Sequence, residues 1–503
     1  MSLTSFDFFL FLGACLILYY VLPKFQKYIL LGASLFFFIK ASAIEIPVMV
    51  LLMCYIFALT YWGGILLEKT QESKWNGVVT AISITGLVAV LFVLKYAFNM
   101  GELLISLFSL SGDMSFWKFL PVMGISYFTL SAIGYLLDVR WKLYPAERNM
   151  ASMALFIFYF PQVISGPVTR FAEMKGQLNS ASPLVYENIE YGLRRMLWGY
   201  FKKLVISERF AMIVTAVYEN PEACGGADIL IATLCYAVQL YTDFSGCMDI
   251  VLGASSLFGV KLPENFRAPF FSRNVQEFWQ RWHITLGLWF KDYVMYPIQI
   301  SGYMVRLGKK CRDIFGKKAG KKIPFYISML VLWFLIGVWH GCTAHYFVAS
   351  AIVPCTLLMI SDFGTPLFSR MASYLPNQGN GRIWVFLQRV RTLLLICICW
   401  VFVCAGSVSV GIESFYDMFA NITQCNIVDI YSMTRQGKGA LFYMTMGIGV
   451  LIFADYLESK GSSLYEVLNR RSFVVRTVIL YVEICMILKA GLVGSSEFIY
   501  FQF

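Results

Sequence analysis

Residues 46–67 read IPVMVLLMCYIFALTYWGGILL, 22 positions without a charged residue. A helix that crosses a bilayer needs about 20 mostly apolar residues. The run has no apolar–polar alternation, so it is not a barrel strand. Only helices and closed barrels satisfy their own backbone inside lipid, and this stretch therefore predicts a membrane helix.

The rest of the chain agrees with it. Of 503 residues, 58% are hydrophobic and 14% are charged. Soluble globular chains carry about 45–50% apolar and about 25% charged residues. A soluble enzyme, a disordered regulator and a nucleic-acid binder are excluded together. The expected fold is an all-α polytopic membrane protein. Candidate spans are Phe6–Leu22, Ile44–Leu67, Asn76–Phe98, Phe119–Leu137, Ala151–Val168, Gly226–Phe244, Phe325–Gly341, His345–Ile360, Ile383–Val408, Ala440–Leu457 and Val474–Val493. That is about 11 transmembrane helices. Tyr28–Ile39 and Leu103–Leu110 are too short to span alone and read as interfacial or half-membrane helices. Phe6–Leu22 lacks a basic leader and a small-residue cleavage site, so it reads as a retained helix. No soluble domain or long linker interrupts the pattern, and residues 1–503 are expected to form one transmembrane domain.

The net charge is +11. The bases sit between apolar runs, which points to cytoplasmic loops and anionic headgroups rather than nucleic acid. Arg306 to Lys322 is the densest block, with eight bases against Asp313. It predicts a cytoplasmic loop, able also to receive an acidic partner. Glu187 to Arg209 interleaves Arg194, Arg195, Lys202 and Lys203 with apolar residues, the pattern of a basic helix lying in the interface. Most of the 13 Cys lie in apolar runs, and no CxxC pair has zinc-ligand spacing. Gly246 to Ile300 is broken by Pro263, Pro269 and Pro297 and carries acids, bases and a His. Such backbone is tolerated at membrane depth only inside protein or beside a water-filled cavity.

With three His in the chain, each is informative. His340, in WFLIGVWHG, ends an apolar run. A neutral imidazole there can take a proton from a hydroxyl nucleophile, or can simply bond between helices. His283, in EFWQRWHITLGLWFKDYVMYP, is crowded by Arg281, Trp282, Trp289, Lys291 and Asp292. The aromatics can line a tunnel and the bases can attract an anionic donor; an interfacial aromatic belt is the plainer reading. His345 follows His340 by five residues, on another helix face, so the pair lacks the four-residue spacing of a helical zinc site. Asp243, Ser245 and Asp249, in YTDFSGCMDIVLG, can orient a polar substrate or seal a helix break. Ser245 lacks the G-x-S-x-G elbow of a hydrolase nucleophile. In FPQVISGPVTR, Gln162 and Arg170 flank a broken helix end, which exposes backbone to a cavity or merely ends a span.

Taken in order, GISYFTLSAIGYLLDV (124–139), FPQVISGPVTR (160–170), the long run from Asp243 to Pro297, GVWHG (337–341) and FIYFQF (498–503) resemble the membrane-bound O-acyltransferase (MBOAT) family, in its bacterial branch of alginate O-acetylation and D-alanyl-lipoteichoic acid transfer proteins. The likeness covers most of residues 1–345 and thins until the tail. It implies a multi-helix fold with re-entrant and interfacial helices around a central tunnel. An acyl thioester would enter from the cytoplasm and the acceptor hydroxyl from the other face. The family's essential His in WHG falls on His340, and its RWH residue on His283. The resemblance implies that His340 deprotonates or orients the hydroxyl, and that His283 positions the thioester or assists proton transfer. The residues' own surroundings make Arg281, Trp282, Trp289, Lys291, Asp292, Asp243, Ser245, Asp249, Gln162 and Arg170 the substrate-binding candidates, and no metal and no bound cofactor are expected.

The donor would be acetyl-CoA or an acyl-carrier phosphopantetheine. The partners would be the bilayer, an acyl-carrier protein, an extracytoplasmic acyl-accepting protein, and a polysaccharide or teichoic acid acceptor. The membrane would be the bacterial inner membrane. Cys342 to Met359 departs from the relatives, which carry an Asn-aromatic pair and then Trp-Gly and His-Gly after WHG; the acceptor side is where this bears. Acetyl transfer, D-alanyl transfer from a carrier protein to teichoic acid, and polysaccharide or lipid transport remain three distinct expectations. Transport predicts internal repeats, and none is evident.

Overall fold

The computed structural model describes residues 1–41, 46–108, 124–163, 165–341, 343–374, 380–426, 431–432, 437, 439–492 and 498–499, with side chains 97–108 and 318–319 left aside. The expected positions 44–45, 109–110, 119–123, Ile164, Cys342, 493–497 and 500–503 lie outside the described residues. The described chain is helical. Its one strand-like feature is an isolated antiparallel bridge between Phe266 and Trp282.

Six described helices are long and apolar enough to cross a membrane: Ile46–Lys69, Trp75–Tyr96, Gly320–His340, Ala344–Ser373, Arg382–Ala405 and Gly439–Ser459. All six fall on spans expected from the sequence. A seventh is gained if Phe6–Val21 and Pro23–Ala41, bent by 109°, count together. The described residues thus hold six or seven such helices, against the eleven expected. Four expectations part from the structure for physical reasons. Ala151–Val168 is interrupted, because the helix Met150–Phe158 ends at Tyr159 and a short turn, Phe160–Val163, follows. Gly226–Phe244 lies inside a longer helix, Gly226–Leu257, whose Thr242, Asp243, Ser245 and Asp249 are all buried against protein. Phe473–Ala490 carries Arg476, Glu483 and Lys489. Leu103–Phe108 is no separate helix but continues Trp75–Phe108.

Contacts divide the chain into two compact units. The first comprises Met1–Tyr200, Gly246–Pro263 and Val493–Phe503. Within it, the helix Tyr186–Tyr200 packs on residues 246–257 almost backbone to backbone. A Cβ added at Gly253 would stand 2.5 Å from the Gly192 carbonyl oxygen, and one at Gly199 would stand 2.6 Å from that of Gly246. Small residues at a seven-residue spacing are what permits this approach. Elsewhere in the unit Gly64 gives way to the Tyr135 ring: a Cβ added there would stand 2.7 Å from the Tyr135 hydroxyl.

The second unit comprises Phe201–Ser245 and Glu264–Leu492. It holds the short helices Val275–Arg281 and Ile284–Phe290. Two starts in the unit are set locally: Asn274 accepts the amide of Glu277 at the head of Val275–Arg281, and Ser301 accepts that of Met304 at the head of Gly302–His340. Gly316, at φ 82° and ψ 170°, breaks this last helix, so its basic first half and its apolar second half are separate pieces. The apolar half and the returning helix Ala344–Ser373 run antiparallel, latched at their far ends. Lys322 Nζ lies 2.7 Å from Asp362 Oδ2, and the Tyr326 hydroxyl donates to the same carboxylate.

Candidate active site

His283 occupies a strained position. Its φ and ψ of 46° and 53° lie in the left-handed region, which few residues with a side chain adopt. The strain comes from a join. Residues 265–267 pair with 281–284: Arg267 N donates to Arg281 O at 3.0 Å, and Ile284 N donates to Asn265 O at 3.0 Å. The chain must then turn into the helix Ile284–Phe290, and His283 takes the turn. Strain of this kind persists where surrounding structure over-determines it, often at functional sites.

The imidazole is buried, and one residue orients it. Asn265 Oδ1 accepts from the Thr285 amide at 3.1 Å and from the Thr285 hydroxyl at 2.9 Å. It therefore presents an acceptor to His283 Nδ1, 3.3 Å away. The proton sits on Nδ1, and Nε2 is the basic nitrogen. Phe244 meets the ring edge-on at 4.8 Å, and Trp339 lies 6.0 Å away. His283 is outside the candidate spans. Burial, with the His340 ring adding to it, pushes its pKa well below the ordinary 6.5 and keeps it neutral.

His340 is the last residue of its helix and is half-buried, with extended Gly341 after it. The Trp339 ring lies 4.9 Å from His340 and contacts His283 as well. The structure thus brings together the two histidines that the sequence singled out, with Trp339 touching both. His345 is apart from them in kind: half-buried, its ring lies 4.4 Å from that of Tyr346, tilted by 40°. Among the described residues no group of three or more His, Cys, Asp and Glu could hold a metal ion.

The other candidates divide. Asp243 and Ser245 flank Phe244 in sequence on the helix Gly226–Leu257, and both are engaged. Lys203 Nζ lies 2.6 Å from Asp243 and 2.5 Å from Glu208, and Lys202 Nζ donates to the Ser245 hydroxyl at 2.8 Å. Both lysines are buried. Their expected place in a lipid interface is corrected here: they sit in π-helical turns, Phe201–Ser207, facing acids and hydroxyls. Burial opposes charge on Lys203, but Asp243 and Glu208 outweigh it and raise its pKa.

Trp282 does not line an open wall. It is buried, stacked on Phe278 at 5.5 Å and edge-on to Phe266 at 5.1 Å. Trp289 is buried against Tyr293 at 5.3 Å. Arg281 pairs with Glu277 at 2.7 Å, Lys291 is exposed and Asp292 half-buried. Asp249, Gln162 and Arg170 belong to the first unit. Asp249 pairs with Arg195 Nε at 2.6 Å. Gln162 accepts from the Thr169 hydroxyl at 3.1 Å and its amide reaches Phe156 O at 3.3 Å, so it braces the helix break. Arg170 precedes the helix Phe171–Asn179. Asn265, Thr285, Trp339 and Glu208 are not singled out by the sequence, and Lys203 is singled out there only as an interfacial base. The available signal for the lysine was two adjacent cations inside an apolar FKKLVI.

Residues 53–302 match the model of the membrane-bound O-acyltransferase family, MBOAT. Over 517 residues the chain is 26% identical to the probable alginate O-acetylase AlgI of Pseudomonas putida, covering 98% of each. It is 24% identical to the peptidoglycan O-acetyltransferase of Helicobacter pylori, over 96% of this chain and 92% of that one. A teichoic acid D-alanyltransferase of Bacillus subtilis is 28% identical over 56% of this chain and 67% of its own.

Proposed function

The chain belongs to the membrane-bound O-acyltransferase family, and we propose that it moves an acetyl group from a cytoplasmic thioester to a hydroxyl of an extracytoplasmic polysaccharide. It is an acyltransferase and a multi-pass membrane protein. The observation that carries the reading is the pair of imidazoles joined through Trp339, one of them fixed in tautomer by Asn265.

The proposed step is a direct acyl exchange. The acceptor hydroxyl gives its proton to His340 as its oxygen attacks the thioester carbonyl. The tetrahedral adduct collapses, the C–S bond breaks, and the thiolate takes the proton back from His340 to leave as thiol. Neutral His283, with Nε2 basic, positions the thioester or shares that proton transfer. General base catalysis of this kind contributes about 10²–10⁴-fold. Holding donor and acceptor together away from water supplies much of the rest.

Acetyl is favoured over D-alanyl because the likeness to two O-acetylating relatives, those of Pseudomonas putida and Helicobacter pylori, runs nearly end to end, whereas that to the Bacillus subtilis D-alanyltransferase covers 56% of this chain. The acceptor lies in the cell envelope of a bacterial inner membrane, reached directly or through an extracytoplasmic acyl-accepting partner. No resident cofactor or metal is part of the proposal; coenzyme A or carrier phosphopantetheine enters as the donor's handle. The test is acyl incorporation into envelope polymer in cells carrying wild type or H340A. Loss in a folded H340A chain is expected, and undiminished acylation would sink the assignment. Supplying labelled acetyl-CoA or a D-alanyl carrier protein to membranes separates the two acyl groups.

A further inference from the structure

The pairing that carries His283 has a second strained residue. Among the described residues three non-glycines have positive φ, and two of them flank this pairing: His283 at 46° on one arm and Ala268 at 43° just past the other. Few residues with a side chain adopt that region, and such strain persists only where surrounding structure holds it. Pro269 follows and has no N–H, so the Ala268 amide is the last donor before the chain turns away. Glu458 Oε2 accepts that amide at 2.9 Å.

Glu458 lies in the last turn of the helix Gly439–Ser459, and Asp455 stands three residues before it on the same face. Asp455 is buried, and its Oδ1 accepts from the Tyr241 hydroxyl at 2.9 Å. The Tyr241 ring meets Phe266 at 5.9 Å and Phe270 at 5.0 Å, on either side of Ala268 in sequence. The Tyr456 ring lies 6.4 Å from that of Phe271. One helix end thus grips residues 266–271 by an amide, by a ring and through Tyr241. The contact continues inward: Phe266 meets Phe244 edge-on at 4.9 Å, and Phe244 meets His283 at 4.8 Å. The proposed acyl exchange uses neither acid, yet a carboxylate buried at the end of an apolar span is costly to keep. We propose that Glu458 and Asp455 are positioning residues for acyl transfer. By fixing residues 266–271 they keep Asn265 aimed at His283 Nδ1, and so set which nitrogen of His283 is basic. The role rests on the acyl-transfer reading and adds to it what holds the imidazole in register.

Kinetics and NMR on the full chain in proteoliposomes test it together. E458A should lower kcat for acetyl transfer by about 10–100-fold with KM little changed, as a small misplacement of a reacting group does. E458Q should keep most of the rate, because an amide oxygen still accepts. Glycine takes the left-handed turn without a partner, so E458A/A268G should recover most of what E458A loses. E458A/N265A should be no slower than N265A alone, since both act through one contact. With three histidines in the chain, nitrogen-15 labelling of His gives few lines, and H283N assigns the one that matters. Wild type should show His283 protonated at Nδ1, and E458A should show it divided between both neutral tautomers. Y241F, which removes the hydroxyl that Asp455 accepts, should shift the same line, and it carries the test if E458A does not fold. A slow E458A whose His283 line stays at the wild-type position would overturn the proposal, as would an E458A with full kcat. The tautomer is read without turnover. A wild-type chain whose His283 line depends on Glu458 but which transfers no acetyl group would therefore refute the acyl-transfer reading and leave the grip on His283 standing.

Discussion

Asn265 decides which nitrogen of His283 is basic. Its carbonyl oxygen is committed by two bonds from Thr285, so the His283 ring cannot reverse without losing a donor–acceptor match. N265A should leave the protein folded and lower kcat by about 10–100-fold with KM little changed, as expected when a base keeps its place but not its tautomer or aim. Steady-state kinetics in membranes checks it. N265D should recover more of the rate than N265A, because the acceptor oxygen returns. The burial of His283 has a second consequence, for stability. Its folded pKa lies well below the ordinary 6.5, so below that pH the unfolded chain binds a proton that the folded chain refuses. Stability then rises with pH, and is lost progressively as pH falls from about 6.5 toward the folded value. Melting curves in detergent between pH 7.5 and 5 should show a drop for wild type that is smaller for H283N. Asn also tolerates the left-handed backbone, which makes it the suitable control.

At the scale of elements, the buried Lys203 with Asp243 and Glu208 ties the π-helical turns Phe201–Ser207 to the helix Gly226–Leu257, and Phe244 on that helix presses on His283. K203M takes away the cation that both carboxylates share. Removing one partner of a buried ion pair costs about 3–5 kcal/mol. A lowered melting temperature and a loss of activity should therefore appear together, and a variant as stable as wild type would refute the role. This is also where sequence reading reached its limit. Long, evenly apolar spans such as 46–67 were legible, because lipid demands an uninterrupted pattern. Lys202 and Lys203 were misread, because spacing tells which residues share a face and not what covers that face. Gly226–Leu257 was cut short for a related reason: its polar residues are offset by partners distant in sequence. His283 and His340 were legible as scarce polar groups among apolar residues. Asn265 and Trp339, ordinary in any sequence, gain meaning only from what they touch.

At the scale of the molecule, the basic surplus has a direction. Lys321, Lys322, Arg370 and Arg382 cluster where Gly320–His340 begins, Ala344–Ser373 ends and Arg382–Ala405 begins. Alternating spans put those three ends on one side, and the preference of lysine and arginine for the cytoplasm predicts that it is the cytoplasmic one. A membrane-impermeant amine reagent should modify Lys309 and Lys310, which are exposed, in inside-out vesicles and not in intact cells. Mass spectrometry of the labelled peptides reads the result, and labelling from outside would reverse the topology.

The latch between Lys322 and Asp362 gives that charge a history during synthesis. Lys322 leaves the ribosome forty residues ahead of its partner. Through that interval it is an uncompensated cation at the head of an apolar run, which is what holds a helix end in the cytoplasm while the run inserts. Once Ala344–Ser373 has followed it into the membrane, Asp362 arrives and the same ammonium becomes a clasp between neighbours. One side chain is thus placed to steer insertion first and to fasten the finished hairpin afterwards.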